Sequence, residues 1–446
     1  MTGPTATAGE AATAAAGAYE IVERSTVADL DRAEWDRLAA GSSLYSGHRW
    51  LAYLEQYRDC VPRYLLARRD GRTVGALPLY EFPGDVPKFY DPAQLLPVPQ
   101  TTGATGRPYV LGGTRAGYTT ELLLDPGASE EEARGAARAL LGRVRELRRD
   151  GGLAALLYLT DETAALLLPE LGPEDRLMLI DSRARIGVDA DGLDGLRARV
   201  GRKTRARIRN EMRNFEEAGC VREVLPLSAC HGELGPLAAQ VLQRYGYPTS
   251  AEEEAARFAS QADQLDDLTQ VVLARKDGRV VGFTLFFVEN GTMYGRVHGL
   301  DDELARSASL YFNLTYYHAI EHAAATGVTT LDLGCDSHET KVLRGAELQP
   351  LWGLFLDLPL DAAGRAELRA RHEERLGTFA AWDPRIRTAV ADRVAERLAG
   401  EPAGRAPSGG PAEPAEPAPA AEPGAPAHHA GPAAPAAEPG APAHHA

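Results

Sequence analysis

The chain is poor in lysine and in cysteine. Of its 48 basic residues only Lys88, Lys203, Lys276 and Lys341 are lysines, a skew that goes with abundant Ala, Gly and Pro and reads as coding bias. Its four cysteines (Cys60, Cys220, Cys230, Cys335) stand far apart with no C-x-x-C pair. That spacing excludes a disulfide scaffold and a cysteine zinc site. No stretch approaches the ~20 apolar residues of a membrane helix. The start, MTGPTATAGEAATAAAGA, lacks the basic and apolar regions of a secretory signal, so the cytoplasm is the expected compartment. Excess positive charge is missing too: 48 Lys+Arg against 63 Asp+Glu leave a formal charge of −15. A general nucleic-acid coat is thereby excluded, while a local basic patch is not. No G-x-S-x-G elbow, P-loop or dinucleotide fingerprint occurs, which leaves hydrolase, kinase and Rossmann readings unsupported.

What is present is globular material: 446 residues, 44% hydrophobic and 25% charged, enough for more than one domain. Residues 1–18 read as a loose leader. Residues 401–446 are almost wholly Ala, Pro, Gly and Glu, with AAEPGAPAHHA at 420–430 and again at 436–446. Such a segment buries too little apolar area to offset its ordering entropy, so a disordered tail is expected.

Between these ends two blocks share one rhythm, 19–176 and 177–360, followed by amphipathic helices in 361–400. Each block reads as helices, an antiparallel hairpin, a strand, a crossover helix and a strand. The hairpins match closely, L-A-R-R-D-G-R-T-V-G-A against L-A-R-K-D-G-R-V-V-G-F, turning at Asp70-Gly71 and Asp277-Gly278. In the first block the crossover is expected from a strand at 119–124 through a helix near 128–149 to a strand at 153–160. In the second it runs from TMYGRVHGL through a helix near 307–326, closed by Gly327, to TTLDLG. An antiparallel meander feeding a β-α-β crossover is an α+β arrangement, and its repetition suggests a duplicated fold.

Three stretches carry a family likeness: VGRKTRARIRNEMRNFEEAG (200–219), SLYFNLTYYHAIEHAAATG (309–327) and LDLGCDSHETKVLRGAELQPLW (331–352). On these the chain resembles the GNAT superfamily of N-acyltransferases, in the tandem branch of FemAB-type peptidoglycan aminoacyltransferases and BioF2-like domains. The resemblance implies two tandem GNAT-like domains, each a mixed, mostly antiparallel sheet with flanking helices. It also implies an activated acyl group moved onto an amine or hydroxyl of a small molecule or cell-wall precursor. No cofactor would be held permanently; acyl-CoA or aminoacyl-tRNA would be the co-substrate. Acetyl-CoA GNATs carry a glycine-rich loop whose N–H groups cradle pyrophosphate, whereas DDELARSASLYF here has no glycine between Gly299 and Gly327. The expectation therefore leans toward charged tRNA as donor.

The residue chemistry points to several positions. Asp336 and His338, just after a strand end, are candidates for taking a proton from an attacking amine, and Lys341 and Arg344 for holding a phosphate or carboxylate. His298 closes the strand that in GNATs faces the acyl donor, and histidine titrates near neutral pH. Tyr316, on the crossover helix, is a candidate acid for the leaving group. A helix over 193–218 would set Leu193, Leu196, Val200, Ile208, Met212 and Phe215 in one stripe, with Arg199, Arg202, Arg209 and Arg213 opposite and Lys203 nearby. That cationic face suits a polyanion. Arg207 falls inside the stripe on this wheel. Two other readings compete. His318-Ala-Ile-Glu-His322 fits an H-x-x-E-H zinc hydrolase pattern without a marked third ligand, and a degenerate GNAT pair would act as a non-catalytic tether.

Overall fold

The computed structural model describes residues 18–57, 59–82, 86–96, 109–148, 152–244 and 246–399. The expected leader, apart from Ala18, and the expected tail lie outside the described residues. None of the described helices is long and apolar enough to cross a membrane.

Thirteen strands form one sheet: Glu20–Arg24 (β1), Val61–Arg69 (β2), Arg72–Glu81 (β3), Tyr109–Gly112 (β4), Leu123–Leu124 (β5), Leu153–Leu159 (β6), Arg176–Gly187 (β7), Val221–Leu225 (β8), Thr269–Lys276 (β9), Arg279–Glu289 (β10), Thr292–Leu300 (β11), Thr330–Asp332 (β12) and Glu347–Leu356 (β13). Their order is β1-β2-β3-β4-β6-β13-β7-β12-β11-β10-β9-β8, with β5 beside β3. Among the described strands only β4–β6 and β11–β12 pair in parallel, and each pair spans a crossover helix, Glu130–Leu147 in the first half and the 310–325 helix in the second. The two expected hairpins turn as read: Asp70-Gly71 and Asp277-Gly278 all have positive φ, as a tight primed turn requires.

Three details differ from the expectation. The parallel partner of β6 is β4, inside a stretch read as loop, because its four residues are too few to show alternation. The expected 193–218 helix is two helices, Gly192–Arg199 and Arg202–Glu217, broken where Val200 turns extended ahead of Gly201. The break resets the helical phase: Ile208 and Phe215 are buried while Arg207 is exposed, so the arginine that a single wheel left inside the stripe stands in solvent. Finally, the halves are interleaved at the middle of the sheet. β13 returns to bond β6 of the first half, while β7, which follows that half, bonds β12 and β13. A helix of the first half, His48–Glu55, also packs on the second half, where Trp50 meets Phe287 edge-on at 5.5 Å.

The 362–382 helix is docked on β7 through a bulge. Leu351 faces Asp181 but Trp352 faces Leu179, so Ile180 is the extra residue and the Leu179 N–H loses its ladder partner. His372 Nδ1 accepts it at 3.2 Å, and the ring stacks on Trp352. Burial, helped by Arg375, pulls this imidazole down to about 4. A histidine depressed in the folded state gives stability that is present above its unfolded value and lost as pH falls. Unfolding by urea should therefore show about 3 kcal/mol lost between pH ~6.5 and ~4 at this residue. His372→Gln, which keeps an acceptor, should flatten that slope; an unchanged slope would contradict the assignment.

Candidate active site

The parallel pairing of β11 with β12 covers only Thr292–Tyr294 against Thr330–Asp332. Beyond Tyr294, β11 continues to Leu300 along β10, while the chain after Asp332 turns to β7, where Leu333 N–H bonds Ala184 O at 2.9 Å. The two strands separate, and among the described residues no other strand joins that edge of β11. Pairing with β10 skips Arg296, a bulge that sharpens the divergence. The matching gap in the first half is filled by its own chain: Thr120 N–H bonds Tyr158 O (2.8 Å) and Thr160 N–H bonds Thr120 O (3.1 Å). The packing there is tight, since a Cβ on Gly113 would lie 2.2 Å from Thr120.

The segment after β12 carries the candidate chemistry. Asp336 (φ +59) and Ser337 (φ +50) are consecutive left-handed non-glycine residues, a strained backbone of the kind found at functional sites. The Asp336 carboxylate is half-buried and has no hydrogen-bond partner among the described residues. Burial and the neighbouring Asp181 push its pKa up, with Lys341 and His338 opposing. Tyr118 and Tyr158 of the first half lie within electrostatic reach, their rings 5.0 Å apart edge-on, and burial holds both hydroxyls far above their ordinary range. They remain neutral O–H groups at any working pH.

Other expected residues are spent on architecture. Lys341 is 2% exposed, and its ammonium donates to Leu333 O (2.7 Å), Gly334 O (3.2 Å) and Cys335 O. Its three donors are used, so instead of holding a ligand phosphate it fixes the turn that presents Asp336. Arg344 is also taken: one nitrogen donates to Glu211 Oε1 at 2.6 Å, another to Thr340 O, and the guanidinium lies 3.4 Å over Phe312. His338 is 7% exposed and stacked on Trp382; its Nε2 donates to Ser182 O at 2.8 Å and lies 3.3 Å from Asp181. A nitrogen carrying that proton cannot act as the base. Tyr316 is fully buried among Tyr311, Phe312 and Tyr317. His298 is 8% exposed beside Tyr311, on the face of the crossover helix, because its strand partner Thr284 bonds Thr315 of that helix. The structure thus does not bring His298 and Asp336 together.

Three residues, Arg183, Arg185 and Glu211, take their places only in the folded chain. The strand LMLIDSRARIG alternates polar side chains at Asp181, Arg183 and Arg185, a period-two signal in an apolar strand. In the sheet Arg183 and Arg185 meet at Gln349 Oε1 (2.9 and 3.5 Å) and flank Asp332 at 3.9 and 3.7 Å. Glu211, read at first only as a charge opposing arginines, accepts from both Arg344 and the Tyr317 hydroxyl.

The N–H groups of Glu303, Leu304, Ala305, Ala308, Ser309 and Leu310 already donate within the 301–310 segment. Asp301, Asp302 and Glu303 make this segment acidic, with Asp301 paired to Arg279 at 3.7 Å and Asp302 to Arg244. On the helix Arg202–Glu217, Arg202, Lys203, Arg207, Arg209 and Arg213 are exposed. Arg199 stands apart from this face, in an ion pair with Asp189 and bonded to Gly187 O. In the H-x-x-E-H stretch, His318 pairs with Glu321 (3.3 Å), which also meets Arg222 (3.1 Å), and His322 meets Gln270 (3.2 Å). Glu321 is thus held between His318 and Arg222, and among the described residues no group of three acidic, His or Cys side chains is placed to hold a metal ion.

A crossover β-α-β whose parallel strands splay beside a strand bulge, duplicated in one sheet, is the GNAT acyltransferase fold. Residues 202–342 match the acetyltransferase (GNAT) domain family. Among solved structures, FemX is 13% identical, with 76% of this chain and 97% of that one aligned at a TM-score of 0.53. The C-terminal domain of a putative lysylphosphatidylglycerol synthetase from Agrobacterium fabrum is 13% identical over 79% of this chain and 97% of its own, at 0.49. A tandem GNAT protein from the clavulanic acid biosynthesis pathway is 15% identical over 77% and 100%, at 0.44. No curated protein matches in sequence. Residues 202–342 thus match a GNAT domain, and the chain shares its fold with FemX.

Proposed function

We propose that the second half is the working N-acyltransferase and that the first half supports it. The observation that carries this reading is the splay of β11 from β12 beyond Tyr294, where no strand among the described residues joins that edge of β11, together with the self-filled gap at Thr120 in the first half. The acyl carbonyl would lie against that edge, and Asp336 would take the proton lost by an attacking amine or hydroxyl. Orientation and backbone polarity would supply much of the rate, with Lys341 holding the turn in place.

For the donor we propose an aminoacyl-tRNA in preference to an acyl-CoA. The occupied amides and acidic side chains at 301–310 favour this, as does the exposed cationic helix. The acceptor would be a small molecule or cell-wall precursor. Four phosphate contacts through Arg202, Lys203, Arg209 and Arg213 should give a slope of log K against log salt of about −3 to −4. Changing the three arginines to glutamine should flatten that slope to about −1 and remove transfer without unfolding the helix, because Ile208 and Phe215 still anchor it. The deciding assay incubates the purified chain with charged tRNAs, acyl-CoAs and amine acceptors. Transfer from acyl-CoA that survives the triple substitution would overturn the donor assignment. A lack of transfer from either donor would leave the tethering role standing in its place.

A further inference from the structure

Away from the crevice, a cavity of about 470 Å³ lies between the start of β7, the first turns of the 362–382 helix and the end of the 389–399 helix. Arg176, Arg365, Arg369 and Arg397 line it. Arg176 opens β7, about 17 Å of extended chain before Asp181, so this is not part of the acyl-transfer site.

The four guanidiniums are anomalous on a chain of formal charge −15. Among the described residues none of them forms an ion pair. Arg176 donates to Pro173 O (2.7 Å) and Asp175 O (3.0 Å), Arg365 to Leu360 O and Arg397 to Gly172 O. Arg369 has no polar partner among the described residues. Arg176 Nε is buried and likewise without a partner there. The one acid in the lining, Asp175, is committed elsewhere: it accepts from Arg145 (2.5 Å), Gly172 N–H (2.7 Å) and Asp357 N–H (3.0 Å). Burial, together with the charges of Arg397 and Arg365, holds Arg176 below its ordinary value, although Glu174 and Asp175 pull the other way. Like charges gathered without counter-charge destabilise a fold unless an anion joins them, and arginine forks suit phosphate oxygens. The rest of the lining includes Ala366 and Leu398, an apolar floor beside the cations.

We propose that this pocket binds an organic di- or triphosphate, its phosphates on the four arginines and its organic part on Ala366 and Leu398. The site is independent of the acyl-transfer reading and is read out by binding, not turnover.

Calorimetry on the purified full chain, with inorganic pyrophosphate and ADP as separate probes, tests it. Both should bind, ADP more tightly, and each should raise Tm by a few degrees through simple linkage. The pair Arg365→Gln and Arg369→Gln, at half-buried or exposed helix positions, should weaken both by at least tenfold with an unchanged circular dichroism spectrum. Three results would overturn the proposal: neither probe binding at millimolar concentration, pyrophosphate binding with ADP excluded, or unaltered affinity in the double variant. Loss of binding in the Arg202, Arg209 and Arg213 glutamine variant instead would also overturn it, by moving the anion to that helix.

Discussion

Asp336→Asn should lower kcat by about 10²–10⁴ while leaving donor binding intact, since a positioned general base is worth that much. Wild-type kcat/KM should fall on the acid side at a pH above the usual aspartate range, because burial and Asp181 disfavour the ionised form. The stability change should run in the opposite sense. An aspartate raised in the folded state contributes stability that is fully present below its unfolded value and lost as pH rises through the folded one. At neutral pH the ionised Asp336 therefore costs stability, and the asparagine variant should unfold at equal or slightly higher urea concentration. A variant that loses activity and stability together would mark Asp336 as structural. One that keeps full activity would remove it from the chemistry.

The largest stability effect should come from the Glu211–Arg344 pair. Both side chains are largely buried, at 13% and 5% exposure, and the pair ties the Arg202–Glu217 helix to the turn after β12. Tyr317 completes it, its hydroxyl bonded to Glu211 and kept neutral chiefly by burial. Glu211→Ala leaves the guanidinium of Arg344 over Phe312 without its carboxylate, a loss of about 3–5 kcal/mol. Arg344→Met should cost a similar amount by stranding Glu211. The double variant Glu211→Leu/Arg344→Met should be more stable than either single one, since no lone charge remains buried. Urea unfolding of the set measures the coupling, and singles costing under ~1 kcal/mol would show the pair to be solvated. Because this pair also docks the cationic helix, partial loss should weaken polyanion binding before the protein unfolds.

How much of the site could be read beforehand depended on whether its signal was local. Asp336 was singled out by its place after a strand end, and the same strand-end reading singled out Lys341 and Arg344. Their roles were not legible. A lysine in a polar loop and a lysine under three carbonyls have the same sequence, and only the path of residues 333–335 decides between them. The surroundings of His298 and Tyr316 were not legible for a related reason. Whether a strand or helix residue faces solvent or core depends on what packs on each face: His298 meets Tyr311 of the crossover helix, and Tyr316 of that helix is buried beneath other elements of the fold.

From the chain alone came the α+β class, the duplication, the two Asp-Gly hairpins, the second crossover and the missing glycine cradle. All of these rest on periodicity, turn chemistry or composition within about thirty residues, where backbone sterics and side-chain pattern act directly. The tertiary structure alone decided the interleaving of β7 and β13, the closure of the first gap by Thr120 and the opening of the second. It alone gathered Arg176, Arg365, Arg369 and Arg397 around one cavity. Hydrogen-bond partners and counter-charges in these places come from segments up to about two hundred residues away, and no local pattern specifies which distant edge a strand will join.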